Sequence, residues 1–259
     1  MKMRFCWIAC VALVVSALFT AGQARAQDGD KKDANDGFVS LFDGKTLDGW
    51  KIGEQDAKYF KVEDGMIVTD SKGPAHLFYM GPVANHDFKN FHLKVDVMTF
   101  PYANSGIFYH TQYQDKGWPG KGMECQINNS HDDWRRTGSL YGLINVTDVA
   151  DIPAKSMKPG ECGVNLGKFP VKDNEWFTQE IIAEGRHVVV KLNGQTVVDY
   201  TFPPEADQDQ FKFNGRMTYL TRGTFALQGH PPMTPGGTSK VCYKNIRVKV
   251  LPDDISSDE

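Results

Sequence analysis

Three segments of the sequence alternate polar and apolar residues with the period of a β-strand, residues 104–110, 123–128 and 224–228. The face opposite their apolar residues carries a carboxylate, two amides and, if the last strand continues to residue 230, two imidazoles. These are Glu124, Gln126, Gln228, His110 and His230. If the strands share a sheet, this face groups side chains that can move protons and bind hydroxyl groups.

Three aromatic residues, Trp118, Trp134 and Tyr141, lie in or next to the loops that flank these segments. A polar sheet face with an aromatic rim suits a sugar, because the apolar face of the sugar stacks on rings while its hydroxyls need polar partners. We therefore predict a small carbohydrate as the ligand. Trp134 has a second interpretation, a cation–π contact with the adjacent Arg135 or Arg136.

The segments offer one clear carboxylate, Glu124, whereas ordinary glycosidases use two. Asp132 and Asp133 are the nearest candidates for a second one. Three functions therefore stay open: an enzyme that needs a single base, a non-catalytic carbohydrate-binding module, and a conventional endo-glucanase. No dinucleotide fingerprint, P-loop, nucleophile elbow or zinc-protease motif occurs. No cofactor is predicted, but a divalent cation such as calcium, held by loop aspartates and carbonyls, stays open.

Strand signals dominate the elements that must position these residues. Residues 91–97 alternate cleanly, residues 187–193 and 195–201 are joined at an Asn-Gly turn, and residues 240–251 form a last strand. Weaker strands are predicted at 39–42, 59–62, 66–69, 76–79, 107–111, 123–128, 140–144, 176–183 and 224–228. Many short strands with glycine-rich turns predict an all-β sandwich or jelly roll. Long loops at about 112–121, 129–138 and 145–173 are expected to carry the site.

The ends of the chain differ from this pattern. Residues 1–26 combine a positive start, a short apolar run and an Ala-Arg-Ala cleavage signal, which predicts a secretory signal peptide. Residues 27–37 read as a polar linker, 38–251 as one β-sandwich domain and 252–259 as an acidic tail. We expect a periplasmic or extracellular protein with no membrane anchor in its mature form.

The charge and the cysteine content of the chain argue against several classes of protein. The chain of 259 residues has a formal charge of −3, and loss of the signal peptide leaves 26 basic against 32 acidic residues, a net charge of −6. This balance argues against a nucleic-acid partner. Cys125, Cys162 and Cys242 remain after cleavage, and three unclustered cysteines indicate neither a disulfide framework nor a cysteine-rich metal site.

An ordered series of motifs resembles the 3-keto-disaccharide hydrolase domain family. The series covers about residues 38–251 and begins with FDGKTLDGW at 42–50. The other motifs are NSGIF at 104–108, GMECQI at 122–127, TGSLYG at 137–142, NEW at 174–176, LNG at 192–194, LQGH at 227–230 and YKNIRVK at 243–249. The resemblance implies a concanavalin A-like jelly roll that cleaves 3-keto-glycosides in the cell envelope. Asn104, within the second motif, joins the candidate substrate-binding residues.

Cleavage of a 3-keto sugar needs only one base to begin, because the keto group acidifies the proton on C2. Elimination of the C1 substituent followed by addition of water then gives net hydrolysis. On this hypothesis Glu124 or His110 abstracts the C2 proton, and the other, or His230, protonates the leaving oxygen. Gln126 and Gln228 would hold hydroxyls or the enolate oxygen.

Overall fold

Two antiparallel β-sheets pack face to face and enclose the hydrophobic core. The computed structural model describes residues 36–148, 157–158, 160–207, 212–213 and 217–253. The predicted signal peptide, most of the predicted linker and most of the acidic tail lie outside the described residues. No helix in the described part of the chain has the length and apolar character needed to cross a bilayer.

The larger sheet contains eight of the described strands. Its order is β13-β12-β11-β6-β17-β4-β3, and β1 pairs with one end of β17. The strands are β1 Val39–Ser40, β3 Phe60–Glu63, β4 Met66–Asp70, β6 Phe91–Thr99, β11 Phe177–Glu184, β12 His187–Leu192, β13 Gln195–Thr201 and β17 Lys240–Val250.

The smaller sheet contains five of the described strands in the order β2-β5-β16-β7-β8. They are β2 Trp50–Ile52, β5 Ala75–Tyr79, β7 Ser105–Thr111, β8 Met123–Ile127 and β16 Thr224–Gly229. All three polar segments singled out in the sequence therefore lie on adjacent strands of one sheet, β16, β7 and β8.

The remaining described elements are short. Strands β9 Ile144–Thr147 and β10 Cys162–Asn165 pair in parallel, and β14 Lys212–Phe213 pairs with β15 Met217–Thr218. Turns of 3₁₀-helix occur at Glu54–Tyr59, Val83–His86 and Pro204–Asp207. The β9–β10 pair adjoins the smaller sheet because Leu140 bridges both Cys125 and Ile144.

The core shows why alternation predicted the sheets well. In β6 every second residue is buried between the sheets, from Phe91 to Thr99. In β7 and β16, Ile107 and Leu227 point into the same core. The opposite face of the smaller sheet is also buried, with Phe78 and Phe108 in contact there. Because the smaller sheet is buried on both faces, other parts of the protein must cover its outer side.

Most strand predictions are confirmed, and so is the all-β sandwich. The predicted hairpin between β12 and β13 has Asn193 and Gly194 at φ of 49° and 81°, the left-handed values that a tight Asn-Gly turn requires. The predicted strand at 140–144 is wrong, because Leu140 bridges Ile144 across a tight turn. The short strands β2, β9, β10, β14 and β15 were not predicted.

A buried polar bridge links the two sheets below the polar face. Ser105 on β7 lies 2.5 Å from the hydroxyl of Tyr243 on β17, and it donates a hydrogen bond to the carbonyl of Gln228 on β16 at 2.5 Å. Ser105 and Tyr243 are both fully buried. The bridge therefore ties the strand that carries Gln228 to the centre of the larger sheet.

Tyr243→Phe is expected to lower the free energy of unfolding by about 1–2 kcal/mol, because it removes the donor to a buried hydroxyl. Tyr109→Phe is the matched control. Tyr109 is equally buried, and its hydroxyl has no hydrogen-bond partner among the described residues, so its removal should be neutral or slightly stabilising. Urea denaturation of both variants measures the difference, and equal effects would contradict a role for the bridge.

Candidate functional site

A cavity of about 470 Å³ lies over the outer face of the smaller sheet. Its floor consists of Glu124 and Gln126 from β8 and Gln228 from β16. These side chains are nearly buried, with exposed fractions of 7%, 2% and 2%. Its lining residues are Asn104, Phe108, Trp118, Pro119, Gly120, Met123, Glu124, Gln126, His131, Asp133, Tyr141, Gly142, Glu161, Gln228 and His230.

Strand register places the two glutamines on either side of Gly106. Gly106 pairs with Gln126 across β7 and β8, and Leu227 pairs with Ile107 across β16 and β7, so Gln228 is adjacent to Gly106 on its other side. The missing side chain leaves a notch that the Glu124 carboxylate occupies. A Cβ atom at Gly106 would stand 2.3 Å from Glu124 Oε1.

Hydrogen bonds hold the Glu124 carboxylate in this notch. Gln228 Nε2 donates to Glu124 Oε1 at 2.8 Å. With its amide turned to satisfy both of its polar atoms, Gln126 donates to the same oxygen at 3.3 Å and to Ser105 O at 3.1 Å. A nearly buried carboxylate needs such donors. The arrangement keeps a basic oxygen at the base of the cavity.

Trp118 forms one wall and is 45% exposed at the rim. Its loop is held by a single amide, since Gln114 Nε2 donates to the carbonyls of Lys116 and Trp118, and Gln114 Oε1 accepts from Gly120 N. The indole is therefore presented on a braced loop, as a stacking platform for a sugar ring requires.

His230 lies beside Trp118, with 5.3 Å between ring centroids. Its Nδ1 is 2.7 Å from the carbonyl of Pro231. A carbonyl can only accept, so Nδ1 carries a proton and Nε2 is the nitrogen that can gain or lose one. Burial lowers the pKa of His230, and the nearby His131, with a centroid distance of 5.6 Å, lowers it further.

Tyr141, Asp133 and Glu161 also line the cavity, and Arg135 or Asp133 holds each of them by a hydrogen bond. Arg135 binds both oxygens of Glu161 at 2.7 and 2.9 Å and Asp133 Oδ1 at 3.1 Å. The Tyr141 hydroxyl donates to Asp133 Oδ2 at 3.2 Å. Burial, with a further contribution from Asp133, raises the pKa of Tyr141 to about 12, so this residue stays a hydrogen-bond donor at neutral pH.

Asn128, at the end of β8, shapes the loop that presents His131 and Asp133. Its Nδ2 donates to the carbonyls of Asp133 and Arg135 at 2.8 Å, and its Oδ1 accepts from His131 N at 2.8 Å. Asp132 instead points to solvent, with 72% of its side chain exposed. Of the two aspartates considered as a second carboxylate, only Asp133 lines the cavity.

The structure brings most of the sequence-predicted site residues to this cavity. They are Glu124, Gln126, Gln228, Asn104, Trp118, Tyr141 and His230. Trp134 does not line it. Its ring lies 4.7 Å from the Arg135 guanidinium carbon, which is the cation–π contact that the sequence also allowed.

His110 lies on the other side of the sheet, so the prediction that it shares a face with Glu124 is wrong. The pairing of β7 with β16 shifts register between Thr224 and Ala226, and the extra residue in β7 leaves His110 with φ of 48°. This β-bulge turns the ring inward, where it packs on Phe91 at 5.4 Å and binds the carbonyl of Lys89 at 2.8 Å. His110 is fully buried away from the cavity.

Sequence reasoning missed His131, Glu161 and His76. His131 and Glu161 lie in loops, where strand periodicity gives no direction. His76, opposite Gln228 in the β5–β16 register, packs its ring edge against Trp118 at 5.6 Å. Burial, helped by the nearby His230, lowers the pKa of His76 to about 3, so it stays neutral. The alternation within residues 75–79 could have placed it on the outer face.

Within the described residues, no group of three or more His, Cys, Asp or Glu side chains is arranged to hold a metal ion. The three cysteines of the domain are free thiols, with Cys125 and Cys242 buried and Cys162 exposed. Cys125 packs in the core between the sheets.

The fold and the cavity together define a β-sandwich protein with a nearly buried carboxylate at the floor of its cavity. Two solved structures from Parabacteroides distasonis, assigned as glycosyl hydrolases, share the fold. The first is 24% identical, with a TM-score of 0.60 over 83% of this chain and 94% of that one. The second is 20% identical, with a TM-score of 0.54 over 83% and 99%.

The particular family follows from sequence comparison. Residues 37–249 match the model of the 3-keto-alpha-glucoside-1,2-lyase-like domain. A Bacteroides thetaiotaomicron protein named 3-keto-disaccharide hydrolase is 35% identical over 250 residues, which cover 83% of this chain and 79% of that protein. The chain therefore belongs to the 3-keto-alpha-glucoside-1,2-lyase-like domain family, and the resemblance drawn from its motifs is confirmed.

Because His110 is buried in its neutral form, we expect the folded protein to lose stability at acidic pH. Burial lowers the pKa of His110 to about 4, whereas the unfolded chain binds this proton near pH 6.5. The free energy of unfolding therefore falls as pH drops from 6.5 towards 4, by up to about 1.4 kcal/mol per pH unit for this residue. His110→Gln, which keeps a donor for Lys89 O, should flatten the slope.

Denaturation midpoints measured between pH 7 and pH 4 give the slope. His187→Gln is the control, because His187 has 43% of its side chain exposed and lies at the sheet surface. An unchanged slope in His110→Gln would mean that this histidine is not the buried neutral group described here.

Proposed function

We propose that the protein cleaves 3-keto-glycosides, with Glu124 as the base that starts the reaction. The observation that carries the proposal is the position of the Glu124 carboxylate. It lies at the cavity floor, fixed by the Gln228 amide at 2.8 Å, beneath the Trp118 and Tyr141 walls. Membership of the family and the name of the Bacteroides relative supply the substrate class.

The first half of the reaction is an elimination. Glu124 takes the C2 proton, which the C3 keto group makes acidic, and the C2–H electrons form the C1–C2 double bond as the C1–O bond breaks. His230, in its imidazolium form, gives its Nε2 proton to the leaving oxygen. Its Nδ1–H bond to Pro231 fixes Nε2 as the nitrogen that exchanges a proton.

The second half is a hydration that restores both groups. Water adds to C1 of the enone while His230 takes a proton from it, and protonated Glu124 returns a proton to C2. The balance is one water consumed and one glycosidic bond cleaved. Gln126 and Gln228 line the cavity beside the carboxylate, and in this proposal their amides would bind substrate hydroxyls.

A conventional two-carboxylate glycosidase is the second candidate, because Asp133 lines the same cavity. Asp133 is engaged by Arg135 at 3.1 Å and by Tyr141 at 3.2 Å, and Glu161 is held by both of its oxygens. These contacts suit fixed wall residues better than a proton donor. The proposed elimination does not require Asp133 or Glu161 to transfer a proton.

We further propose that the protein works outside the cytoplasm, as residues 1–26 have the sequence features of a signal peptide. A periplasmic or extracellular enzyme would meet glycosides before uptake.

Glu124→Gln should lower kcat for a 3-keto-glucoside by about 10²-fold or more, the usual contribution of a positioned base. Glu180→Gln is the matched control, since Glu180 is a nearly buried carboxylate of the other sheet, bound to His92 at 2.7 Å. Cleavage by Glu124→Gln within tenfold of wild type would exclude Glu124 as the base.

The same assay, run with the unoxidised parent glucoside and with a chelator, separates the candidate functions. Cleavage of the keto sugar alone is expected. Cleavage of the parent would favour the two-carboxylate route, and binding without turnover of either compound would favour a binding module.

Gly106→Ala tests the notch rather than the carboxylate itself. The added Cβ would lie 2.3 Å from Glu124 Oε1 and 2.8 Å from its Cγ, so the carboxylate must move while the fold remains. Displacement of a base by about 1 Å can cost 10²-fold in rate. Gly73→Ala is the control, because a Cβ there meets nothing within 4 Å. Equal kcat values for the two variants would contradict the notch.

A further inference from the structure

A second recess of about 380 Å³ differs in chemistry from the candidate site. Pro101, Tyr102, Pro232 and Met233 form its apolar surface, and Thr234 and Thr238 supply hydroxyl groups. No carboxylate, amide or cationic side chain is among its described lining residues, whereas the first cavity contains three carboxylates and three amides.

Three stretches of chain connect the recess to the cavity. Tyr102 is two residues from Asn104, and Pro232 is two residues from His230, both of which line the cavity. The third link is Ser130, whose Oγ accepts from Tyr102 N at 2.8 Å and which precedes the lining residue His131. The recess therefore lies just beyond the Asn104, His131 and His230 side of the cavity.

The exposed ring of Tyr102 is carried on a braced turn. The residue is 61% exposed, yet its backbone is held in the left-handed region at φ of 63°. Ala103 N donates to Phe100 O at 3.0 Å, and Asn104 N donates to Ser239 Oγ at 3.1 Å. A large ring in water on a fixed backbone is suited to covering an apolar ligand.

The opposite side of the recess is also anchored. Lys72 Nζ donates to Gly237 O at 2.9 Å, and Ser239 N donates to Asp70 Oδ1 at 3.0 Å. These contacts tie the 232–238 segment to the end of β4. Met233, which is 38% exposed, therefore faces the recess from a segment fixed at its end.

We infer that this recess holds the leaving group of the substrate, and that this group is a flat apolar ring such as an aryl aglycone rather than a second sugar. The inference rests on the proposed function, since it assigns the other half of the same substrate. A sugar in this place would find few partners for its hydroxyls, because the hydroxyls of Tyr102, Thr234 and Thr238 are the polar side-chain groups among the described lining residues. An aryl ring needs only the tyrosine, methionine and proline surfaces.

Calorimetric binding of three non-keto probes tests the assignment: methyl α-glucoside, phenyl α-glucoside and maltose. Wild-type protein should bind the phenyl glucoside about tenfold more tightly than the methyl glucoside, and maltose within about twofold of the methyl glucoside. Tyr102→Ala should remove most of the phenyl preference, and Met233→Ala part of it. Both should leave methyl glucoside binding unchanged within twofold.

Trp176→Ala is the matched control, because Trp176 is also an exposed ring, at 37%, but lies against Lys244 on the other sheet. It should retain the phenyl preference. Maltose affinity that exceeds that of phenyl glucoside and falls in Tyr102→Ala would overturn the assignment in favour of a second sugar. Absence of any phenyl preference in wild type would overturn it outright.

Cleavage assays on the 3-keto forms of the phenyl and methyl glucosides separate this inference from the proposed function. Turnover without a Tyr102-dependent phenyl preference overturns the recess assignment alone. A Tyr102-dependent phenyl preference in binding with no turnover overturns the proposed reaction and supports the recess assignment.

Discussion

A carboxylate withdrawn from water must be compensated by hydrogen-bond donors, and the arrangement around Glu124 follows from that requirement. With 7% of the residue exposed, the charge depends on the amides of Gln228 and Gln126. Those amides reach it only because Gly106, between them in the sheet, has no side chain. The register of β16, β7 and β8 is thus constrained by the Glu124 carboxyl group as well as by the core beneath it. The Ser105–Tyr243 bridge then fixes this part of the smaller sheet to the larger one.

The loops above the floor obey a related constraint, since backbone groups in irregular segments also need partners. Gln114 and Asn128 each satisfy several of them with a single amide, one beneath Trp118 and one beneath His131 and Asp133. Such side-chain-to-backbone bonds let long loops hold a defined shape without regular structure. Hydrogen bonds therefore fix the loops that form the walls of the cavity, as they fix the side chains of its floor. The sequence predicted that long loops would carry the site, but it did not predict that they would be held in this way.

The alternation of side chains along a β-strand was sufficient to predict the floor of the cavity. Glu124, Gln126 and Gln228 lie on regular strands whose other face is apolar. The same rule failed at His110, where one inserted residue reverses the direction of the side chain. A β-bulge depends on pairing with a neighbouring strand, so one strand read alone gives no sign of it. The hydrogen-bonded group of Arg135, Asp133 and Glu161 was not predicted, for a different reason. Glu161 is 26 residues away from Arg135, in a loop whose path depends on the β9–β10 pair.

Charge and shape together restrict what the site can accept. Glu124, Asp133 and Glu161 bring three carboxylates to one cavity, and Arg135 binds two of them. The excess of negative charge in the cavity disfavours an anionic sugar, because like charges repel. It favours a neutral glycoside and stabilises an imidazolium at His230 when one forms. In the proposed reaction, the negative field would stabilise the imidazolium that donates the leaving-group proton, and the uncharged recess beyond His230 would leave the aglycone to apolar contact.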